Sequence, residues 1–349
     1  MSLVEDRTET YRFAAPVAAA PTVGEVLEEW RTSRYGIADT TAASHWYVLR
    51  WCRPRPGVAG ITQVPTGQLR AAHIRQLIAD LLAHGRNDGG PLALSSATLV
   101  FNVLSGAFRE LHAQGVLAAN PMGGVRAPAL TGFVDEDEEA HEVWDAEQTA
   151  RFLRWARRQR HGILWLLAIH LGLRRGELAG LRWADVDLDQ GVIRCRLNRT
   201  IRSAIPGHPG GATDHNLKSR RGANRTKPKI LVLNATLLDE LRWLRERQPH
   251  AAHVLTDAVG EPFHPQRLSR IHKAACVEAG VPVCSLHTMR QVCAVLYRQA
   301  GVPEGVAQEI LGHASVAMTR HYSRGINDSA LVAVQAPAVA ALEQLVGGR

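Results

Sequence analysis

The sequence lacks the short motifs that usually bind nucleotides or catalytic metals. No HExxH, Walker loop or GxGxxG occurs among the 349 residues, so ATP, a dinucleotide and a catalytic zinc have no evident binding site. The five cysteines, at positions 52, 195, 276, 284 and 293, include no CxxC pair. Such spacing favours reduced, buried thiols over disulfides or a zinc site. We therefore predict that the protein uses no metal and no cofactor.

Long apolar runs and a secretion signal are also missing. The longest apolar stretch, GILWLLAIHLGL at 162–173, contains His170 and falls short of the roughly 18 residues that a membrane span needs. It is more typical of a buried helix. The N-terminal MSLVEDRTETYRF has acidic residues where a signal peptide would be basic and then apolar. These features predict a cytoplasmic protein that does not interact with membranes.

Positive charge is present in excess and is unevenly distributed. The formal net charge is +8, yet the stretch VDEDEEAHEVWDAEQ at 134–148 carries eight acids and no Lys or Arg. Setting those eight aside leaves 25 acids against 41 bases. A basic body with one acidic segment favours a polyanion as partner, although solvated basic faces alone would give the same composition.

The first 130 residues predict a flexible tail followed by a helical domain. Residues 1–20 end in AAPVAAAP and resemble a flexible tail. Apolar positions at helical spacing then predict four helices, beginning near Thr22 and covering about 22–34, 40–52, 66–85 and 94–115. Ser95 or Ser96 is placed to cap the fourth helix, and Gly115 to end it. We assign 21–130 to one helical domain and 131–144 to an acidic linker.

The second half predicts helices around a small antiparallel sheet. Asp145 is a candidate N-cap with Gln148 three residues later. GVIRCRLNR at 191–199 alternates apolar and basic residues and predicts a strand, with KILVL at 229–233 as its partner. The Gly- and Arg-rich residues 200–228 between them are interpreted as a long hairpin loop or an insertion. Residues 145–330 are assigned to this second domain.

Three separated motifs are the candidates for chemistry. They are GLRRGEL at 172–178, HTMR at 287–290, and LGH followed by a tyrosine at 311–322. Each motif is weak by itself: HxxR places His287 and Arg290 one helical turn apart, as many surface pairs are, and Tyr322 could be a packing aromatic. Their combined order, with a basic β-hairpin between the first and second, is much more specific.

In these three motifs the chain resembles the tyrosine recombinase, or phage integrase, family. The resemblance extends from about Thr22 to about Arg324, because LSSATLVFNVLSGAFRELHAQGVLAANPMGGVRAP is similar to the end of the family's core-binding domain. It implies a mainly α fold with a small antiparallel β-sheet. A helical core-binding (SAM-like) domain and a tyrosine-recombinase catalytic domain would together form a C-shaped clamp on DNA.

The resemblance also implies a role for each residue of the site. Arg174 and Arg290 would bind two non-bridging phosphate oxygens with guanidinium forks that never lose their charge. His287 would move a proton, and His313 would donate a hydrogen bond to the phosphate. Tyr322, with an ordinary pKa of about 10, would attack the phosphodiester. The resulting 3′-phosphotyrosine would conserve the bond energy, so that neither ATP nor metal is needed.

Two features depart from the family pattern or leave alternatives open. The catalytic lysine expected on the β-hairpin could be Lys218 or Lys227, and Lys229 lies nearby; Lys218, followed by small and basic residues, fits the pattern better. Gln291 stands where many relatives carry a histidine. Glu177, three residues after Arg174, is by resemblance a buried structural partner and by sequence alone equally an ordinary surface pair.

The function implied is site-specific recombination of double-stranded DNA by a homo-tetramer on paired sites, through a Holliday junction. An accessory DNA-bending or directionality factor is a further candidate partner. The alternatives are a type IB topoisomerase and a non-catalytic DNA-binding protein of the same fold. The C-terminal tail, 331–349, is predicted to form a kinked helix or two short ones around Pro337. The resemblance favours docking of this tail into a neighbouring protomer over packing on its own domain.

Overall fold

The computed structural model describes residues 20–128, 143–205, 210–217, 228–311 and 328–347. The chain divides into two units, residues 1–137 and 138–349. Nearly all of the predicted flexible tail, most of the acidic linker and the segment 312–327 lie outside the described residues.

In residues 20–128, the part of the first unit that the structure describes, four α-helices occur, as the apolar spacing predicted. They are α1 (Val23–Thr32), α2 (Asp39–Trp51), α3 (Ala71–His84) and α4 (Leu94–Ala113). Thr22 and Glu25 form a capping box at the start of α1, which satisfies two backbone N–H groups that the helix leaves without partners. The apolar residues of α1 are buried in a core shared by all four helices.

One helix boundary and one helix cap in this unit differ from the prediction. Helix α3 begins at Ala71, because Thr66–Gln68 forms a separate 3-10 turn before it. Helix α4 begins at Leu94 after Ala93, and no side chain caps it, so the prediction of a serine cap was wrong. The predicted C-terminal end of α4 is close to the observed one, where Gly115 adopts a positive φ of 77° that glycine accommodates without strain.

The second unit contains most of the remaining helices. They are α5 (Ala146–Ala156), α6 (Gly162–Leu171), α7 (Arg175–Gly180), α8 (Ala235–Arg247), α9 (Pro265–Glu278), α10 (Leu286–Gln299) and α11 (Glu304–Leu311). Asp145 caps α5 in a capping box with Gln148, as predicted. Every residue of α6 is buried, which confirms a core helix. Within the described ranges, no helix combines the length and the apolar character that a bilayer span requires.

Within the described residues, five strands form two small antiparallel sheets. Strands β1 (Val186–Asp187), β2 (Val192–Cys195) and β5 (Lys229–Val232) form one sheet in the order β1-β2-β5. Strands β3 (Leu197–Arg202) and β4 (Gly211–Asn216) form a hairpin, in which Thr200 lies opposite Thr213. The interpretation of 200–228 as one long loop was therefore wrong for 200–202 and 211–216.

The C-terminal segment is one helix, α12 (Asp328–Gly347), with Pro337 inside it; of the two predicted alternatives, one helix and two short ones, the structure has the single helix. The helix packs on its own unit, where Val339 and Leu342 join the core. The buried Gln335 side chain donates from Nε2 to the Ile230 carbonyl at 3.1 Å and accepts at Oε1 from the Val232 N–H at 3.3 Å. A glutamine amide thus completes hydrogen bonds along β5.

Candidate active site

Arg174 is placed by the turn between α6 and α7. Helix α6 ends at Gly172, whose left-handed backbone (φ 57°) suits glycine, and Arg174 is the N-cap residue of α7. The Arg174 backbone N–H donates to Glu177 Oε2 at 3.0 Å, and its Nη1 donates to Glu177 Oε1 at 2.8 Å. The Arg174 side chain is 46% exposed while that of Glu177 is 2% exposed. A buried carboxylate therefore holds the half-exposed guanidinium in place.

Glycine at position 176 lets this turn approach the β3–β4 hairpin. A Cβ at Gly176 would lie 2.8 Å from the Arg199 carbonyl oxygen and would also collide with the Asn198 side chain. The RRGEL motif therefore needs its glycine because α7 packs directly on β3. The close packing fixes the position of Arg174 relative to the sheets.

Lys229 is the lysine of the hairpin region that the structure describes. It lies on β5 opposite Cys195, and its buried Nζ is 3.6 Å from Glu177 Oε2. Burial lowers the pKa of Lys229, Glu177 opposes that effect, and the charges of Arg290 and Arg174 lower the pKa further. Glu177 pairs with both Arg174 and Lys229, and the charge of Arg290 also acts on Lys229. We call these four residues the arginine–lysine cluster.

Glu177 is the buried anion of this cluster. Burial favours its neutral form, yet the charge of Lys229 and the hydrogen bonds and charge of Arg174 together keep the pKa of Glu177 below its ordinary value. The carboxylate is thus ionised and paired inside the protein. The alternative of an ordinary surface pair was wrong.

Arg290 joins three separate parts of the chain. It lies on α10, which Ser285 caps by accepting a hydrogen bond from the Thr288 N–H. The Arg290 side chain is buried, with Nη1 donating to the Gly172 carbonyl at 2.7 Å and Nη2 donating to the Leu311 carbonyl. Leu311 is the last residue of α11, directly before Gly312 and His313. One guanidinium therefore connects the first and third motifs through the second.

The other candidates are placed less closely together or are not described. His287 is on α10 with Arg290 but is exposed, so the two side chains straddle the edge of the buried face of that helix instead of sharing it. Lys218, Lys227, His313 and Tyr322 lie outside the described residues. The structure therefore brings together Arg174 and Arg290 of the six predicted catalytic residues.

Sequence reasoning named Lys229 without predicting its burial, and it did not find Asp214. Lys229 shares one side of β5 with the fully buried Leu231, and this period of two was a usable signal that it points inward. Asp214 lies on β4 and binds Arg182 and Arg199, each at 2.8 Å, and His253 at 3.2 Å. No local pattern marks Asp214, because its partners come from three distant segments.

The arrangement can hold an anion. Two basic side chains, Arg174 and Lys229, pair with the buried Glu177 carboxylate, and the half-exposed guanidinium of Arg174 has planar N–H donors suited to phosphate or carboxylate oxygens. Donors fixed in this way need little reorganisation when negative charge develops on a bound group.

Comparison with known proteins finds one family whose match includes the positions of all three motifs. The model of the phage integrase family matches residues 142–327. A curated relative, a tyrosine recombinase XerC-like protein of Caldanaerobacter subterraneus subsp. tengcongensis, is 27% identical over 233 residues, covering 62% of this chain and 59% of that protein. The match thus spans somewhat more than half of the relative's length.

Solved structures show the same fold. The Tn1549 transposon integrase in complex with a circular intermediate DNA superposes with a TM-score of 0.68 at 16% identity, covering 90% of this chain and 98% of that chain. A lambda integrase tetramer bound to a Holliday junction gives a TM-score of 0.59 at 19% identity, covering 89% and 80%. With the family model covering more than half of its length, the chain belongs to the phage integrase family of tyrosine recombinases.

Proposed function

We propose that the protein is a site-specific tyrosine recombinase that cleaves and rejoins double-stranded DNA through a 3′-phosphotyrosyl intermediate. The strongest support is the buried Arg290 guanidinium, which bonds the carbonyls of Gly172 and Leu311. Arg290 thereby fixes the segment before His313 against the turn that carries Arg174. A binding protein would gain little from holding these motifs together around a buried charge.

The chemistry follows from the charge of the reacting group. A phosphodiester repels nucleophiles, and its pentavalent transition state gathers further negative charge on the equatorial oxygens. Arg174 and Arg290 stabilise that charge, and His313 donates a hydrogen bond to it. The Tyr322 hydroxyl attacks phosphorus, its proton passes to a nearby base, and the 5′-oxygen leaves. His287, exposed on α10, serves as a proton carrier.

The departing 5′-oxygen takes a proton from a hairpin lysine, Lys218 or, as the second candidate, Lys227. Lys229 is not assigned this role, because its Nζ is buried beside Glu177. Its charge instead helps to keep the Glu177 carboxylate ionised. When sulfur replaces the 5′-bridging oxygen of the substrate, the sulfur leaves as a thiolate and needs no proton from a general acid. The lysine whose alanine variant is rescued by that substrate is the general acid.

Assembly is proposed from the likeness to the lambda integrase tetramer. Four protomers would bind paired core sites and exchange strands two at a time through a Holliday junction, with affinity supplied mainly by Lys and Arg contacts to phosphates. An accessory DNA-bending or directionality factor would select the product. No nucleotide or metal takes part in the transfer step itself.

Two assays on the same preparation test this function. Core-site DNA is first selected from a library of duplexes by binding to the full chain. A two-site plasmid is then tested for recombination, beside a supercoiled plasmid without the site for relaxation. Recombinants on the two-site plasmid are expected. Relaxation of both plasmids without recombinants would identify a type IB topoisomerase, and binding without either reaction a non-catalytic protein.

A further inference from the structure

Three potential metal ligands that the proposed function does not use meet in the second unit. His272 and Cys276 lie one turn apart on α9, and Cys284 lies in the segment that leads into α10. All three are buried, with exposures of 0%, 0% and 1%. Their ligand atoms lie within 4.8 Å of one another.

The distances within this group fit a shared ion. Nε2 of His272 is 3.6 Å from the sulfur of Cys276 and 3.6 Å from the sulfur of Cys284. A tetrahedral zinc with ordinary bonds of about 2.05 Å to nitrogen and 2.3 Å to sulfur would separate the two ligand atoms by about 3.5 Å. The imidazole thus presents the same nitrogen to both sulfurs at a coordination distance. Without an ion, the same contacts are hydrogen bonds between two thiols and a neutral imidazole. Metal analysis distinguishes this hydrogen-bonded arrangement from a metal site.

We propose that His272, Cys276 and Cys284 bind one zinc-class divalent ion. Two thiolates balance the charge of such an ion, and the neutral site that results is compatible with complete burial. Borderline-soft ions prefer thiolate and imidazole ligands, whereas magnesium and calcium prefer oxygen. A non-protein ligand such as water completes the coordination.

The surroundings indicate a structural role for the ion. The rings of Trp144 and Phe152 lie 6.2 Å and 6.0 Å from the His272 ring, centroid to centroid, and shield it from solvent. The Trp144 indole N–H donates to the Pro282 carbonyl at 2.8 Å, which anchors the segment that contains Cys284. A bound ion would add a second connection, between α9 and Cys284 of this segment.

The site would position the helix that carries two proposed catalytic residues. Cys284 directly precedes Ser285, the N-cap of α10, and His287 and Arg290 follow within two turns. Fixing Cys284 to α9 therefore fixes the start of α10. This role is separate from the transfer chemistry, which the ion does not touch.

The sequence alone did not indicate this site, because the ligands follow the pattern HxxxC followed by seven residues and a second Cys. That spacing matches no common zinc motif. The turn after α9 reverses the chain and returns Cys284 to the helix. Only the tertiary fold brings the third ligand to the other two.

The test uses the full chain, purified under thiol reductant and without a metal-affinity tag. The protein is equilibrated with zinc, freed of excess ion and analysed for metal per chain. X-ray absorption at the zinc edge should show two sulfur neighbours at about 2.3 Å and nitrogen or oxygen at about 2.0 Å. Cobalt(II) in place of zinc should give thiolate-to-cobalt charge-transfer and tetrahedral d–d bands.

Variants assign the ligands. Cys276→Ser and Cys284→Ser should each remove the charge-transfer band and the rise in melting temperature that zinc gives the wild type. Cys195→Ser is the matched control, a buried cysteine of the same unit outside the cluster, and should keep both. Reduced wild type that retains no zinc, or that yields a Cys276–Cys284 disulfide in its place, would overturn the proposal without needing any variant to fold.

Discussion

Nη1 of Arg290 donates a 2.7 Å hydrogen bond to the carbonyl oxygen of Gly172, across 118 residues of sequence. The carbonyl is available because Gly172 ends α6 in a left-handed conformation. A Cβ at this position would collide with the Leu311 side chain and lie 3.3 Å from the sulfur of Cys293. Backbone shape at one motif thus determines where the guanidinium of another is held.

Replacing Arg290 with lysine should show whether cleavage needs only a positive charge at this position or also the planar shape of the guanidinium. Lysine keeps the positive charge but lacks the planar fork whose two nitrogens bond the Gly172 and Leu311 carbonyls. We expect the cleavage rate on selected core-site DNA to fall about 100- to 1000-fold, with DNA binding at low salt nearly unchanged. Arg298→Lys, exposed on the same helix, is the control and should cleave normally. Normal cleavage by Arg290→Lys would contradict a role for the guanidinium fork.

Glu177 should be essential to the stability of the arginine–lysine cluster. Glu177→Gln leaves the buried Lys229 without its anion, and removing one partner of a buried pair costs about 3–5 kcal/mol. Denaturant unfolding followed by tryptophan fluorescence measures the loss. Adding Lys229→Met to Glu177→Gln should recover part of it, because the unpaired charge is then gone.

Glu147→Gln is the matched control for that experiment. Its carboxylate is 82% exposed and only 3.5 Å from Arg151, so its loss should cost less than about 1 kcal/mol. Equal effects of the two substitutions would mean that the Glu177 pair is no stronger than a surface pair.

Asp214 should make stability depend on acidic pH. Burial opposes its ionisation, but hydrogen bonds from Arg182, Arg199 and His253 lower the pKa of Asp214 below its ordinary value. A lowered pKa in the folded state stabilises the protein fully above the ordinary value near 3.9. That contribution is lost as the pH falls through the folded pKa.

Asp214→Asn should therefore lower the melting temperature at pH 7, with a cost of about 1.5–3 kcal/mol for the lost charged hydrogen bonds. The difference from wild type should shrink as the pH falls below about 4. A difference that stays constant between pH 7 and pH 3 would show that packing, and not the charge of Asp214, causes the loss.

The C-terminal helix should stabilise its own chain before any assembly. Leu342 is fully buried, and Leu342→Ala should cost about 2–5 kcal/mol, whereas Val334→Ala, at a position 40% exposed, should cost little. With the helix packed in cis, the unfolding midpoint of DNA-free protein should not change with protein concentration. A midpoint that rises with concentration would show that a partner's helix fills the site. Docking in trans on DNA would require α12 to leave its own unit.

The parts of the structure that the sequence predicts are those set by interactions between residues close together in the chain. The capping boxes of Thr22 and Asp145 and the apolar spacing of α1 act within a few residues, so their outcome can be predicted before the fold is known. The family resemblance adds the order of the three motifs. It also implies the burial of Glu177, which the structure confirms.

Features that depend on distant partners were not predictable in this way. Gly211–Asn216 forms β4 only because β3 lies beside it, and its composition is typical of a loop. Gln335 is buried because β5 needs its amide, although glutamine is usually exposed. His272 meets Cys284 only after the chain reverses. In each case the feature is stabilised by a contact between residues that are distant in the sequence.

Conversion of Tyr322 to phenylalanine tests the central claim most directly. Wild type and Tyr322→Phe are incubated with nicked core-site duplexes, on which a released fragment prevents religation, and covalent protein–DNA adducts are resolved in SDS. Because only the hydroxyl is removed, we expect equal DNA binding by both proteins, an adduct with wild type, and none with the variant. An adduct of undiminished yield with Tyr322→Phe would contradict the proposed mechanism.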